Sequence, residues 1–386
     1  MENSIYLDNN ATTPCDPRVV EKMLPYFSEI YGNPANGYHI QGRMAAKAVD
    51  KARGQIAQLI GAQPYEIIFT GGATESNNLV IFGISRFSKN SFRNRLVTSK
   101  IEHKAVLYPC KVLKEDNKDV AFISVSSAGE INLQEMLGSI TEKTFLVSVH
   151  LANNEIGTIQ PIHEIAEHAH SVGALVHTDA AQAVGKILVH VDELGVDLLS
   201  MSAHKLYGPK GIGALYIRGG IKAIPFAPMF YGGGQELGLR PGTSNVPSIV
   251  GFGEAAQLCA HNLGVEINRI QRLRDEFEES LISQIPGLVI NGKNTNRLPN
   301  TSSLTFPDVD ADALLLNLPD VMLGTGSACN SGTLEPSHVL QAIGVSREAA
   351  QSTIRASFGR FNSEEQVQIA INSIVQSYFS VLNSTL

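Results

Sequence analysis

Cysteine is scarce in this chain, and so is charge. Four cysteines stand among 386 residues, at positions 15, 110, 259 and 329, and no two form a C-x-x-C pair. That spacing argues against a disulfide framework and against a local zinc or iron–sulfur motif. Charged residues are only 17% of the chain, the net charge is −7, and no basic cluster occurs. A broad grip on a phosphate backbone is therefore not expected, and direct nucleic-acid contact is excluded from the reading. No apolar run is long enough to span a bilayer, so no membrane attachment is expected. The opening "MENSIYLDNNATTP" has no basic segment followed by an apolar one. No export signal is read there, and a reduced, cytoplasmic setting is the expectation. Internal repeats and low-complexity linkers are also missing. What is present is an ordinary globular composition, 43% hydrophobic, in a chain long enough for about two domains.

Short apolar runs alternate with helical patterns through the first two-thirds. "EIIFT" (66–70), "RLVTS" (95–99), "TFLVSVH" (144–150), "ALVHTD" (174–179) and "VDLLSMS" (196–202) read as strands, with "IGALYI" after them. Strands that are apolar on both faces, with helices between, predict an α/β fold with a mainly parallel sheet and helices on both faces. This large domain is expected over residues 15–247. Beyond Pro247 the texture changes. Ile267, Ile270, Leu273, Phe277, Leu281 and Ile285 recur at three- and four-residue steps, which predicts one face of a long helix stopped by Pro286-Gly287. The strand-like "SSLTF" and "TIRASFG" and a closing amphipathic helix follow. Residues 1–14 and 248–386 are expected to form a smaller α+β domain.

Ligands of open parallel sheets gather beyond the carboxyl ends of the strands, so the residues just past each strand carry the most information. After "EIIFT" come Gly71-Gly72-Ala73-Thr74 at a helix start, where glycines let the backbone approach an anion and the first N–H groups face it. The stretch matches neither G-x-G-x-x-G nor G-x-x-x-x-G-K-[ST], so a single phosphate fits better than a dinucleotide or a triphosphate. A plain turn is the bland alternative. His103 comes after "RLVTS"; Asn153-Asn154-Glu155 come after "TFLVSVH"; Asp179 ends "ALVHTD", with Gln182 three residues on; Ser202, His204 and Lys205 close or succeed "VDLLSMS". A lysine, a phosphate site and an aspartate able to keep a ring nitrogen protonated are what pyridoxal phosphate requires. Lys205 leaves a strand end into a glycine-punctuated loop and suits the cofactor lysine. Lys104 lies in a helical stretch and is expected at the surface. In "IHEIAEHAH", His163, Glu167 and His170 share a helical face, but their spacing fits no zincin pattern. A solvated face and no metal are expected there. His177 reads equally well as support for Asp179 or as core.

Ordered motifs run nearly end to end: "YLDNNATTP" (6–14), "GNP" (32–34), "FTGGATESNN" (69–78), "EHKAV" (102–106), "NNEIGTIQP" (153–161), "HTDAAQAVGK" (177–186), "MSAHKLYGPKGIGALY" (201–216), "GGGQELGLRPGT" (232–243) and "GTGSACNSGTLEPSHVLQAIG" (324–344). They resemble those of the cysteine desulfurases of the NifS/IscS type, class-V aminotransferases with the aspartate-aminotransferase fold. The resemblance implies pyridoxal phosphate as cofactor and L-cysteine as substrate, with L-alanine and a persulfide on Cys329 as products. It implies that Lys205 holds the cofactor, Asp179 pairs with the ring nitrogen and Gln182 with the ring hydroxyl. His103 would stack on the ring and move protons. Ala73, Thr74, Ser202 and His204 would hold the phosphate, joined by Thr243 from the second subunit of a homodimer. Asn154 would lie beside ring and substrate, and Arg355 would clamp the substrate carboxylate.

Cys329 sits among small polar residues with glycines at 324, 326 and 332, a composition that predicts a mobile loop over about 324–337. Cys15, Cys110 and Cys259 are expected to pack. Departures from the family pattern are Gly71-Gly72 where Ser-Gly is common, Gly324-Thr325 where two serines are common, and Ala356 where an aromatic is common; none removes a reactive group. The resemblance further implies a sulfur-acceptor protein, whether an iron–sulfur cluster scaffold, a tRNA thiolation enzyme or a component of DNA phosphorothioation. The rival readings are another enzyme of the same cofactor, such as an aminotransferase or selenocysteine lyase, and a non-catalytic sulfur-transfer partner.

Overall fold

The computed structural model describes residues 4–88, 92–325 and 336–385. The chain opens on a short strand, β1 (Ile5–Tyr6), then builds a seven-stranded sheet from β2 (Ile67–Thr70), β3 (Arg95–Ser99), β4 (Asp119–Ile123), β5 (Thr144–Ser148), β6 (Leu175–Asp179), β7 (Leu198–Ser202) and β8 (Gly213–Ile217). Their spatial order is β2-β8-β7-β6-β5-β3-β4. The pairs from β4 through β7 are parallel, whereas β8 runs antiparallel to both β2 and β7. The fold is α/β with a mainly parallel sheet, as the two-faced apolar strands predict. Every residue of β2, β5, β7 and β8 is buried. The edge strand β4 escapes that pattern: Asp119 is exposed and Ala121 and Phe122 are half-buried, because an edge strand has only one neighbour to cover it.

Helices cover both faces. Helix Ile40–Leu59 and the first half of helix Val246–Gln284 bury Val49, Ala52, Ile56 and Phe252 against Val147, Val176 and Leu199. On the other face, Ala73–Phe87 and Lys104–Glu115 bury Leu79, Ile81 and Val106 against Leu146, Leu198 and Leu215. A further core joins Ile270, Leu273 and Phe277 to Leu304, Ile354 and Ile371. It lies on a second sheet of β9 (Val289–Asn291), β10 (Thr301–Thr305), β12 (Gly324–Thr325) and β13 (Thr353–Ser357), while β11 (Val321–Met322) pairs with β1. Ile5 and Leu7 belong to this core.

The long helix begins earlier than its apolar periodicity predicts. It starts at Val246, with Asn245 capping it and Pro247 in its first turn, and runs to Gln284. Gly251 and Gly253 lower its helical propensity, yet they are required by packing. A Cβ on Gly253 would lie 2.6 Å from the Ala52 Cα, and one on Gly251 would lie 2.6 Å from the Met23 sulfur. The first half of this helix thus belongs to one core and its second half to another.

Candidate active site

A cavity of about 900 Å³ opens where the central strands end, and residues from nearly every one of those ends line it. After β2 the chain turns through Gly71 and Gly72 into helix Ala73–Phe87. Gly72 has φ 149° and caps the helix without any side-chain hydrogen bond. The first amides of the helix are therefore left for a ligand. The turn also runs close to β8: a Cβ on Gly213 would lie 2.6 Å from the Gly72 Cα. Ala73, Thr74, Ser202 and His204 all face this pole of the cavity. His204 Nδ1 is 3.0 Å from the Thr12 hydroxyl. Burial, then the lysines at 205, 210 and 186, push its pKa down to about 4, so the ring is neutral at neutral pH.

Lys205 closes a short 3₁₀ turn directly after β7. Its Nζ donates to the backbone carbonyls of Asn10 and Ala11, the latter at 2.8 Å. Lys205 and Asp179 line the same cavity. The Asp179 carboxylate is held from both sides, by Asn77 Nδ2 at 2.6 Å on Oδ2 and by the Ala181 amide at 3.0 Å on Oδ1. Gln182 Nε2 donates to the Asn10 carbonyl at 2.9 Å. Behind it, Lys186 Nζ donates to Gln182 Oε1 at 2.5 Å and to Asn10 Oδ1 at 2.8 Å. Burial, with Lys205 and Arg355 nearby, drives the Lys186 pKa well down. Asn10, Asn77 and Lys186 are not singled out by sequence alone. All three stand inside the quoted motifs, Asn10 in "YLDNNATTP", Asn77 in "FTGGATESNN" and Lys186 in "HTDAAQAVGK", but their roles come from contacts 102 and 176 residues apart.

His103 caps helix Lys104–Glu115, with Nδ1 accepting from the Ala105 amide at 3.1 Å, and lines the cavity. Lys104 corrects an expectation: it is half-buried and also lines the cavity rather than lying at the surface. A helix-start position next to a capping histidine faces the strand ends, not bulk water. Across the cavity, Arg355 on β13 pairs with Asp8 at 2.6 Å and donates to the Asn154 carbonyl at 3.1 Å. Gly324 makes room for this pair, since a Cβ there would sit 2.7 Å from Asp8 Oδ1. Next to Asn154, the buried Glu155 accepts a hydrogen bond from Ser337 at 2.5 Å. Burial raises the Glu155 pKa to about 7, against the lowering effect of Ser337 and of Arg355. Asn77 Oδ1, His150 Nε2 and Arg355 Nε are buried with no hydrogen-bond partner among the described residues, and all three residues line the cavity.

Five other expectations concern residues around or away from this cavity. Cys329 lies outside the described residues, as does most of the loop expected over 324–337. Cys110 and Cys259 are buried and Cys15 half-buried, and burial raises all three thiol pKa values, that of Cys259 to about 11. His177 is core: its ring is held between the Ser148 and Ser200 hydroxyls at 2.8 and 2.9 Å, and burial pushes its pKa down to about 4. Thr243 is exposed and does not line this chain's cavity. His163, Glu167 and His170 lie exposed on helix Ile162–Ser171, with His170 paired to Asp197 at 2.9 Å.

The residues present fit pyridoxal phosphate by their own chemistry. The uncapped helix start suits a phosphate, the doubly held carboxylate of Asp179 suits a protonated ring nitrogen, and Lys205 lines the same cavity. A mainly parallel sheet with such residues at its strand ends defines a class of cofactor-dependent α/β enzymes. Comparison with known proteins narrows it. The family described as aminotransferase class-V matches residues 5–369. A mitosomal cysteine desulfurase of Encephalitozoon cuniculi is 44% identical over 374 residues, covering 97% of this chain and 86% of that protein. Among solved structures, a NifS-like protein superposes with TM-score 0.89 at 38% identity, covering 97% of this chain and 98% of that one. SspA in complex with cysteine does so with TM-score 0.82 at 38% identity, covering 93% and 100%. The chain belongs to the aminotransferase class-V family, and within it to the cysteine desulfurases of the NifS/IscS type.

Proposed function

We propose that this enzyme transfers the sulfur of L-cysteine to Cys329, releases L-alanine, and delivers the persulfide sulfur to an acceptor protein of iron–sulfur cluster assembly or thiolation. The observation that carries the reading is the convergence of Lys205, Asp179 and the uncapped start of helix Ala73–Phe87 on one cavity. Pyridoxal phosphate bound there supplies an electron sink that makes the substrate's Cα proton labile. Lys205 would hold it covalently. Asp179, fixed by Asn77, would serve the ring nitrogen, and Gln182, fixed by Lys186, would serve the ring hydroxyl. Ala73, Thr74 and Ser202 would take the phosphate. His204, a neutral imidazole whose Nδ1 lies 3.0 Å from the Thr12 hydroxyl, would join them at the phosphate.

On the substrate side, Arg355 presents a planar fork to the carboxylate, with Asn154 beside it. His103 and Lys205 share the task of removing and returning protons at Cα. Cys329 attacks as the thiolate, because the thiol is a poor nucleophile. Its sulfur forms the S–S bond as the Cβ–S bond of the substrate breaks, and the electron pair stays with the fragment that becomes alanine. Thr243, exposed on its own chain, serves the phosphate of the neighbouring subunit in a homodimer. A persistent thiol and persulfide suit a reducing compartment such as the cytoplasm. Among the described residues no helix is long and apolar enough to cross a membrane.

The test is product analysis from L-cysteine under reducing conditions. Wild type is expected to release alanine and sulfide in equal amounts. Cys329→Ala is expected to lose sulfide release by about 10²-fold or more, the scale of removing a nucleophile. Full sulfide release by that variant sinks the assignment.

A further inference from the structure

Glu155 stands at the cavity wall without a role in the chemistry above. Its backbone is fixed first: the amides of Glu155 and Ile156 donate to Asn153 Oδ1 at 2.8 and 3.1 Å, and Asn153 Nδ2 is anchored on the Ile101 carbonyl at 3.1 Å. Its carboxyl then accepts from Ser337 at 2.5 Å. Ser337 is itself committed, capping helix His338–Ala342 through the amides of Val339 and Leu340. The charged or titratable groups acting on Glu155 come from two other elements: Arg355 on β13, and His103 and Lys104 at the start of helix Lys104–Glu115. His338, next to Ser337, instead directs its Nε2 to the Glu102 carbonyl at 2.9 Å.

We propose that Glu155 is a positioning residue for substrate binding: clasped by Ser337 and lining one cavity with Arg355, its carboxyl admits the substrate carboxylate to Arg355 when protonated and opposes it when charged. This rests on the desulfurase reading, with Arg355 as the carboxylate clamp. The physics is that of one added negative charge in a partly enclosed cavity. When Glu155 is neutral, a substrate carboxylate meets Arg355, which already holds the Asp8 carboxylate at 2.6 Å, without an added negative charge from position 155. Ionised Glu155 offsets part of the attraction of Arg355 and repels a second carboxylate. Burial places the switch near neutrality, with the pKa raised to about 7. Substrate affinity then falls as pH rises through that value.

The experiment measures binding of L-alanine, a carboxylate ligand that cannot be desulfurated, to the cofactor-loaded enzyme. Absorbance titrations at pH 6 and pH 8 compare wild type, Glu155→Gln and Ser337→Ala, with sulfide release from L-cysteine followed in parallel. Wild-type Kd is expected to rise about 5-fold between the two pH values, the order expected for one unit charge several ångströms away. Glu155→Gln keeps an acceptor for Ser337 but cannot ionise, so its Kd is expected to change less than about 2-fold by the same reasoning. KM should follow Kd, whereas kcat should not. Loss of the Ser337 hydrogen bond, which favours the charged form, should move the step in Ser337→Ala to higher pH. Parallel profiles in wild type and Glu155→Gln overturn the proposal; so does an unmoved step in Ser337→Ala, which also serves if Glu155→Gln does not fold. Absence of sulfide from wild type at any pH is a different failure, that of the desulfurase reading itself.

Discussion

Lys205 reaches out of the sheet to the N-terminal segment, and that single contact shows how the site is held. Its ammonium is received by the carbonyls of Asn10 and Ala11. Asn10 also receives Gln182 and Lys186 and donates to Thr301 at 2.9 Å. Replacing Lys205 by Ala is expected to abolish the visible absorbance of the purified protein, because the covalent hold is lost. Unchanged colour would show that the cofactor is anchored elsewhere. At this scale the cavity-lining residues were legible because each lies at or just past a strand end: His103, Asp179, Gln182, Ser202 and Lys205 need only the rule that strand ends carry ligands. Their supports were not legible. Asn77, Lys186 and Ser337 stand inside quoted motifs, but Asn77 earns its meaning from Asp179, Lys186 from Asn10, and Ser337 from Glu155, and separations of 102, 176 and 182 residues leave those pairings unreadable in the sequence.

Elements place these residues through close backbone approaches. The turn after β2 can lie against β8 only because both carry glycine there. Gly213→Ala would set a Cβ 2.6 Å from the Gly72 Cα and 2.6 Å from the Met201 carbonyl oxygen, and backbone atoms cannot rotate away. The expected result is a loss of about 1–3 kcal/mol in urea unfolding, typical of overpacking, together with weaker cofactor retention on dialysis. Wild-type stability in this variant would mean that the phosphate turn is more yielding than its packing implies. The buried strands were legible from two-faced apolar runs, whereas the edge strand β4 was not, since half-buried positions dilute the signal. The first half of helix Val246–Gln284 was missed for the opposite reason. Its glycines look like breakers locally and act as contact points against helix Ile40–Leu59 and Met23.

Across the whole molecule, one ion cluster ties the N-terminal segment to the far end of the chain. Asp16 accepts from Arg18 at 2.7 Å and from Arg360 at 3.0 Å. Arg360 in turn pairs with Glu266 at 2.6 Å and lies over the Tyr207 ring. Hydrogen bonds from Arg18 lead the effects that lower the Asp16 pKa from 3.8 to about 2. A depressed carboxylate contributes stability that is complete above its unfolded pKa and is lost as pH falls through the folded one. Asp16→Asn is therefore expected to cost about 3 kcal/mol at pH 7, the scale of breaking a buried pair. The gap to wild type should close as pH falls from 4 to 2 in urea titrations; a gap independent of pH would refute the charge-based account. By itself the sequence determined the fold class, the family and a set of residues that line the cavity, because strand periodicity, turn residues and ordered motifs are local properties. The tertiary structure alone decided which amide orients which carboxylate, that Lys104 faces the cavity, and that Glu155 titrates near neutrality. Those depend on burial and on charges brought together from distant positions, and desolvation has no signature until the chain has folded.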